Sequence, residues 1–134
     1  MISFLLSVRQ PIRFLIVVIY VLSIVALSLL PPQDLPKIPL FKGADKVIHI
    51  MMYFIFSILF CWAIRTETNF YRLILVISVT LVWGIFMEYL QLKMHMGRSF
   101  DPNDILANSF GVVSGVFIYL MALFKMHSPN HKNR

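Results

Sequence analysis

Apolar residues in this chain fall into four long runs that are separated by short polar segments. The runs span Phe14–Leu30, Val47–Ile64, Leu73–Leu92 and Ile105–Phe124. A helix needs about 20 mostly apolar residues to cross a hydrocarbon core, with about 17 as a lower limit, and each run has that length. We therefore predict an all-α integral membrane protein, a bundle of four transmembrane helices.

The first run has a second interpretation as a secretory signal, because it follows basic residues and closes near the small residues Ala26 and Ser28. Cleavage there would leave three segments that still need a membrane. We favour an uncleaved helix ended by Pro31 and Pro32, which lack backbone N–H donors and fix φ. Since the runs and their short connections take up nearly the whole chain, we expect a single transmembrane domain over residues 1–134.

The composition agrees with a membrane location. Hydrophobic residues make up 59% of the chain and charged residues 13%, and the mean hydropathy is +0.80. A soluble globule of this size needs more polar surface than that. The single cysteine, Cys61, cannot form an intrachain disulfide and gives no information on the redox compartment.

Basic residues near the helix ends indicate the orientation. Four spans place both termini and the loop between the second and third helices on one side. That side carries 7 basic residues, Arg9, Arg13, Arg65, Arg72, Lys125, Lys132 and Arg134, against 5 on the other, Lys37, Lys42, Lys46, Lys93 and Arg98. The modest bias favours cytoplasmic termini. The net charge of +6 fits contact with anionic phospholipid heads, and no basic, aromatic-interleaved patch indicates a nucleic acid.

Three polar runs lie at helix ends on the side opposite the termini. Residues 45–49 open the second helix, residues 88–91 close the third, and residues 98–108 open the fourth. At about 1.5 Å per residue, the innermost polar residue of each run lies within roughly 3–6 Å of its helix end. Spacings of three or four residues put the polar pairs of each run on one helical face. We therefore expect the three runs to form one outward-facing site.

The side chains of these runs suit proton transfer and ligand binding. His49 and Glu88 are the catalytic candidates, because an imidazole and a carboxyl group can act as general acid and base. Arg98 is the natural anion receptor, since its guanidinium binds phosphate or carboxylate through a planar fork. The substrate-binding candidates are Asp45, Lys46, Gln91, Arg98, Asp101, Asp104 and Asn108.

Most of these residues also have a purely structural interpretation. Glu88 could form an ion pair with Lys46 or Arg98 that locks the bundle. Gly111 and Gly115 form a Gly-xxx-Gly pattern, which lets another helix approach closely. The acidic residues that could be plain helix N-caps are Asp45, Asp101 and Asp104.

A metal site is a further alternative for four residues of the runs, His49, Glu88, Asp101 and Asp104. One imidazole with several carboxylates suits Mn, Mg or Zn with open positions. The spacing of these residues along the chain matches no known ligand signature, so we predict neither a metal nor another cofactor.

The same motifs carry a family resemblance. In chain order they are Leu27-Ser28-Leu29-Leu30-Pro31, Asp45-Lys46-Val47-Ile48-His49 with Tyr53, Gly84-Ile85-Phe86-Met87-Glu88-Tyr89-Leu90-Gln91, and Gly97-Arg98 followed by Asp104 through Gly111. With them the chain resembles the VanZ-like membrane proteins, named for a glycopeptide (teicoplanin) resistance determinant. The resemblance runs from about the end of helix one to the middle of helix four. It implies a compact four-helix membrane protein of the bacterial cell envelope and brings no established reaction.

Two classes of function follow from these observations. In the first, the site binds an anionic membrane lipid or a lipid-linked cell-wall intermediate, with a link to glycopeptide resistance, and Arg98 and Lys46 contact its phosphate. An enzymatic form of this class is an acid/base hydrolase or transferase that acts on a lipid-linked phosphate through Glu88 and His49. In the second, the polar residues are a structural clasp in an envelope partner protein. Turnover and oligomeric state stay open at this point.

Overall fold

The protein is built from four long α-helices. The computed structural model describes residues 7–29, 43–66, 69–94 and 101–127. The helices are α1 (Gln10–Leu29), α2 (Ala44–Ile64), α3 (Phe70–Met94) and α4 (Pro102–His127), and the described ranges contain no strand. All four are long and apolar enough to cross a membrane. The predicted all-α bundle of four membrane helices is therefore confirmed.

Each helix begins three or four residues before its apolar run, because the first turns contain polar residues. Asp101 is the N-cap of α4, where its Oδ1 accepts a hydrogen bond of 2.9 Å from the backbone N–H of Asn103. Pro102 takes the first helical position, which needs no N–H donor. The alternative that Asp104 caps this helix is therefore wrong.

The start of α2 also differs from the expectation. Gly43 is its N-cap, with a left-handed φ of 90° and no side-chain hydrogen bond. A residue with a Cβ is strained in that conformation, so glycine suits the position. Asp45 lies in the first turn of α2 and is not the cap. Pro31 and Pro32, which we expected to end the first helix, lie outside the described residues, and α1 ends at Leu29.

The most extensive helix contact is between α2 and α4, and α2 also packs against α1 and α3. Gly111 and Gly115 make the close approach possible, since a Cβ at either position would overlap α2. At Gly111 it would meet the backbone of Ile50, and at Gly115 the carbonyl of Phe54 and the hydroxyl of Ser57. The packing role predicted for the two glycines is confirmed.

The core lies along this seam and includes Ile24, Tyr53, Phe56, Val76 and Val112. The outer faces carry many exposed large apolar side chains, as expected for helices that meet lipid. One end of the bundle brings together the start of α2, the end of α3 and the start of α4, and we call it the His49 end. The opposite end, with the starts of α1 and α3 and the end of α2, is the Arg13 end.

Candidate functional site

The His49 end gathers polar side chains from three helices. His49 of α2, Glu88 of α3, and Asp104 and Asn108 of α4 lie within a few ångströms of one another. Glu88 and Asn108 are almost completely buried, and the His49 and Asp104 side chains are 11% and 13% exposed. The expected convergence of the three polar runs is therefore seen for these residues, while their functional roles stay predictions.

Lys46 connects this cluster to the end of the bundle. Its ammonium contacts the carboxylates of Asp101 and Asp104, and it lies 3.0 Å from Asp45 Oδ2. The hydrogen bond from Lys46 holds the pKa of Asp101 below its usual range. The Asp45 side chain is 62% exposed, so it marks the outer edge of the cluster.

Glu88 is the exception in this network. Its side chain is 1% exposed, and neither carboxylate oxygen has a hydrogen-bond partner among the described residues. The structural alternative of an ion pair with Lys46 is not seen, and the Lys46 ammonium contacts the three aspartates instead. Arg98, the other residue of that alternative and the expected anion receptor, lies outside the described residues.

The His49 ring is held in one orientation. Nδ1 lies 3.0 Å from Asn108 Oδ1, and an amide oxygen can only accept, so Nδ1 carries the proton. Glu88 Oε1 is 3.9 Å from the same nitrogen. The other nitrogen, Nε2, lies 3.8 Å from Asp104 Oδ2. The ring therefore directs Nδ1 toward Asn108 and Nε2 toward Asp104.

Two further buried polar groups lie beside Glu88. The Tyr53 hydroxyl and the Asn108 amide nitrogen have no hydrogen-bond partner in the described part of the chain. Gly84, one turn before Glu88, lies against both residues. A Cβ there would stand 3.2 Å from the Tyr53 ring and 3.3 Å from the Asn108 amide nitrogen. Sequence reasoning did not include Tyr53 in the site, although its position one turn after His49 was the available signal.

Comparison with known proteins identifies the family. The VanZ/LLP1 family profile matches residues 7–125. The chain belongs to the VanZ/LLP1 family. The resemblance drawn from the motifs is confirmed. The chain matches no curated protein and no solved structure.

Gln91 of this VanZ-family chain makes its hydrogen bond to a residue outside the cluster. Its amide donates a hydrogen bond of 2.9 Å to the backbone carbonyl of Ser28, in the last turn of α1. Helix ends leave their last carbonyls without partners inside the helix, and Gln91 supplies one. Its observed contact ties α3 to α1, whereas we expected it to bind substrate.

The Arg13 end is organised differently. Arg13 is 1% exposed, and its guanidinium donates to the carbonyls of Val8 at 2.9 Å and Trp62 at 3.0 Å. It also stands 5.1 Å from the centre of the Trp62 ring. Arg72 donates to the carbonyl of Ile64 at 2.9 Å. Two arginines thus satisfy the last carbonyls of α2, as basic side chains often do at helix C-termini. Sequence reasoning used both only as orientation signals.

The cluster at the His49 end also has the composition of a metal site. His49, Glu88 and Asp104 each offer one ligand atom, and these three atoms lie within 4.8 Å of one another. Asp101, the fourth residue considered from the sequence, contacts Lys46 and caps α4. The possible ligand set in the described part of the chain is thus one imidazole and two carboxylates.

Proposed function

We propose that this VanZ-family protein binds the polar head of an anionic envelope lipid or lipid-linked cell-wall intermediate at the His49 end. The observation that carries the proposal is the buried Glu88 carboxyl group without a hydrogen-bond partner among the described residues. An ionisable group in a membrane helix costs up to about 2.5–3.5 kcal/mol on insertion scales. Such groups usually face a cavity or a partner, and a bound head group would supply that partner.

The proposed ligand approaches from the membrane boundary. The Lys46 side chain is 29% exposed and can be reached from there. Its ammonium, together with Arg98, would contact the phosphate, and hydroxyl or amide donors of the head group would reach Glu88 and Asp104. Asn108 holds His49 at the base of the site, and Asp101 orients Lys46.

Binding is favoured over acid/base turnover by the hydrogen bonds of His49. A direct proton exchange between Glu88 and His49 needs a separation of about 2.6–3.2 Å. Glu88 is 3.9 Å from Nδ1, and that nitrogen is already bonded to Asn108. A purely structural clasp is less favoured as well. A side chain that only holds helices together is expected to have a hydrogen-bond partner inside the protein, and none is seen for Glu88 among the described residues.

The proposal includes a location and a phenotype. The family resemblance implies the bacterial envelope, and we expect the inner membrane. The bias of basic residues favours cytoplasmic termini, so the His49 end would face outward. The head groups of cell-wall intermediates are exposed on that face, where glycopeptides act. We therefore expect the protein to lower susceptibility to teicoplanin in a host that expresses it.

The test compares two carboxyl groups at the same end. Glu88→Gln keeps the size of the buried side chain and removes its charge, and Asp45→Asn makes the same change at an exposed position. We expect Glu88→Gln and His49→Ala to lose teicoplanin protection and the retention of anionic lipid in purified protein, at normal membrane abundance. Asp45→Asn should keep both. Equal behaviour of Glu88→Gln and wild type would contradict the proposal.

A further inference from the structure

The charges at the His49 end do not balance. Four carboxyl groups lie there, on Asp45, Glu88, Asp101 and Asp104. They face two described ammonium groups, that of Lys46, which contacts the three aspartates, and that of Lys93 in the last turn of α3. Charges attract and repel more strongly in a low-dielectric site than in water, so this excess of negative charge favours a cation. A phosphate head group would add to the excess. The cluster thus needs more positive charge than its described side chains supply.

We infer that His49, Glu88 and Asp104 hold a divalent metal ion, Mn²⁺ or Zn²⁺. Each residue offers one ligand atom, and the three atoms lie within 4.8 Å of one another. Ligand atoms stand about 2 Å from a bound zinc, so binding would draw the three side chains slightly inward. One imidazole and two carboxylates match these ions, and the two carboxylates offset the charge of the metal.

The hydrogen bonds around the cluster leave one atom of Asp104 and one atom of His49 available to bind a metal. Asp104 uses Oδ1 for Lys46, while its Oδ2 lies 3.8 Å from His49 Nε2. Asn108 Oδ1 accepts a hydrogen bond from Nδ1–H, which fixes the ring and leaves Nε2 as the nitrogen that could bind a metal. A second partner of this kind is usual for metal-binding histidines.

The buried unpaired groups are an independent indication of a ligand. Glu88 has two carboxylate oxygens without a hydrogen-bond partner among the described residues, although its side chain is 1% exposed. The Tyr53 hydroxyl and the Asn108 amide nitrogen beside it also have none within the described ranges. Buried polar groups are normally satisfied, so a group of them at one point needs an explanation. A metal with its bound water would supply partners for Glu88 and for these neighbours.

The metal site also adds to the proposed function. The step in which a lipid phosphate binds the metal rests on that proposed function. Three protein ligands leave open positions on the ion, as in catalytic and substrate-binding metal sites. A phosphate oxygen of the lipid head could take one of them, close to Lys46. The three ligands come from three different helices, which explains why no ligand spacing is visible along the sequence.

The metal is tested first without lipid. The full chain is purified in detergent without a polyhistidine tag, stripped with a chelator, and titrated with Mn²⁺ or Zn²⁺ alone by calorimetry. We expect one ion per chain. Glu88→Gln and Asp104→Asn should abolish binding, and Asn108→Ala should weaken it about 10- to 100-fold through the lost partner of His49.

Asp45→Asn is the matched control for Asp104→Asn. Both aspartates contact Lys46, so each variant removes one carboxylate from the same ammonium. Only Asp104→Asn removes a ligand, and Asp45→Asn should bind metal as tightly as wild type. Circular dichroism shows whether each variant is folded. If Glu88→Gln is unfolded, the wild-type titration and Asp104→Asn decide the outcome.

The inference is overturned if wild type binds neither ion in a saturable way, or if folded Asp104→Asn binds as tightly as Asp45→Asn. A lipid measurement separates this result from the proposed function. Saturable metal binding without retention of anionic lipid supports the metal site and contradicts the lipid function. Lipid retention without saturable metal binding overturns the metal site and leaves the lipid function standing.

Discussion

The two ends of the bundle hold a buried ionisable side chain in opposite ways. At the Arg13 end, a guanidinium that is 1% exposed donates to two backbone carbonyls and lies over the Trp62 ring. At the His49 end, the equally buried Glu88 has no hydrogen-bond partner among the described residues. Among the described residues at the Arg13 end, the buried side-chain group without a hydrogen-bond partner is the neutral hydroxyl of Thr66. A buried charge that serves only folding is expected to have its partners inside the protein.

This difference separates a structural end from a functional one. Replacing a buried polar group that has partners leaves those partners unsatisfied, and this costs stability. Replacing a buried group without partners by an apolar one of similar size removes a cost. Arg13 and Glu88 are therefore expected to respond in opposite directions to the same kind of substitution, here a change to methionine.

The largest effect is expected at the Arg13 end. Arg13→Met removes the donors to Val8 and Trp62. Since hydrogen bonds to charged groups contribute about 1.5–3 kcal/mol, we expect a loss of about 3 kcal/mol in the free energy of unfolding. Denaturation in mixed micelles, followed by circular dichroism, measures it.

The control for this prediction is Arg9→Met, because Arg9 is exposed at the same end. Surface substitutions usually stay within about 0.5 kcal/mol. If Arg13→Met and Arg9→Met unfold alike, the Arg13 end is not the structural end described here.

A smaller effect on stability is expected from Gly84→Ala. The three atoms nearest to the added Cβ are side-chain atoms of Tyr53 and Asn108, at 3.2–3.4 Å. Overpacking typically costs about 1–3 kcal/mol, and we expect about 1 here because the side chains can shift. The shift displaces Asn108, so metal and lipid binding should weaken clearly. Gly111→Ala, whose Cβ meets the backbone of Ile50, should cost more. Unchanged binding in Gly84→Ala would show that this wall of the site is not needed.

The smallest effect concerns Asp101 and pH. Its hydrogen bond from Lys46 lowers its pKa in the folded state. Such a group stabilises the fold fully above the pKa of the unfolded chain, about 3.9, and loses that contribution as pH falls through the lowered folded value. Wild type should therefore lose more stability than Asp101→Asn below about pH 4. Melting midpoints between neutral and acidic pH measure this, and parallel profiles would contradict it.

The sequence was sufficient for the helices and for the end of the bundle at which the polar residues lie. Apolar runs report membrane spans directly, and the span count puts His49, Glu88 and Asn108 at one end. Their convergence follows because inward-facing polar groups avoid lipid.

The pairing of these groups could not be predicted in the same way. Which aspartate reaches Lys46 depends on the rotation and crossing of α2 and α4, and spacing within one helix does not report it. For the same reason an ion pair of Glu88 with Lys46 was open as an alternative, and the hydrogen bond from Gln91 to Ser28 could not be predicted. Arg13 was missed because a basic residue before a membrane helix is ordinarily an orientation signal.

The central claim is that Glu88 serves to bind a ligand and that its unpaired carboxyl group lowers the stability of the ligand-free protein. The most direct test is the unfolding of Glu88→Met beside Arg13→Met, both in the presence of a chelator so that no metal contributes. We predict that Glu88→Met melts at or above the wild-type midpoint and has lost metal and lipid binding. A loss of stability as large as that of Arg13→Met would show that Glu88 serves the fold, and would contradict the claim.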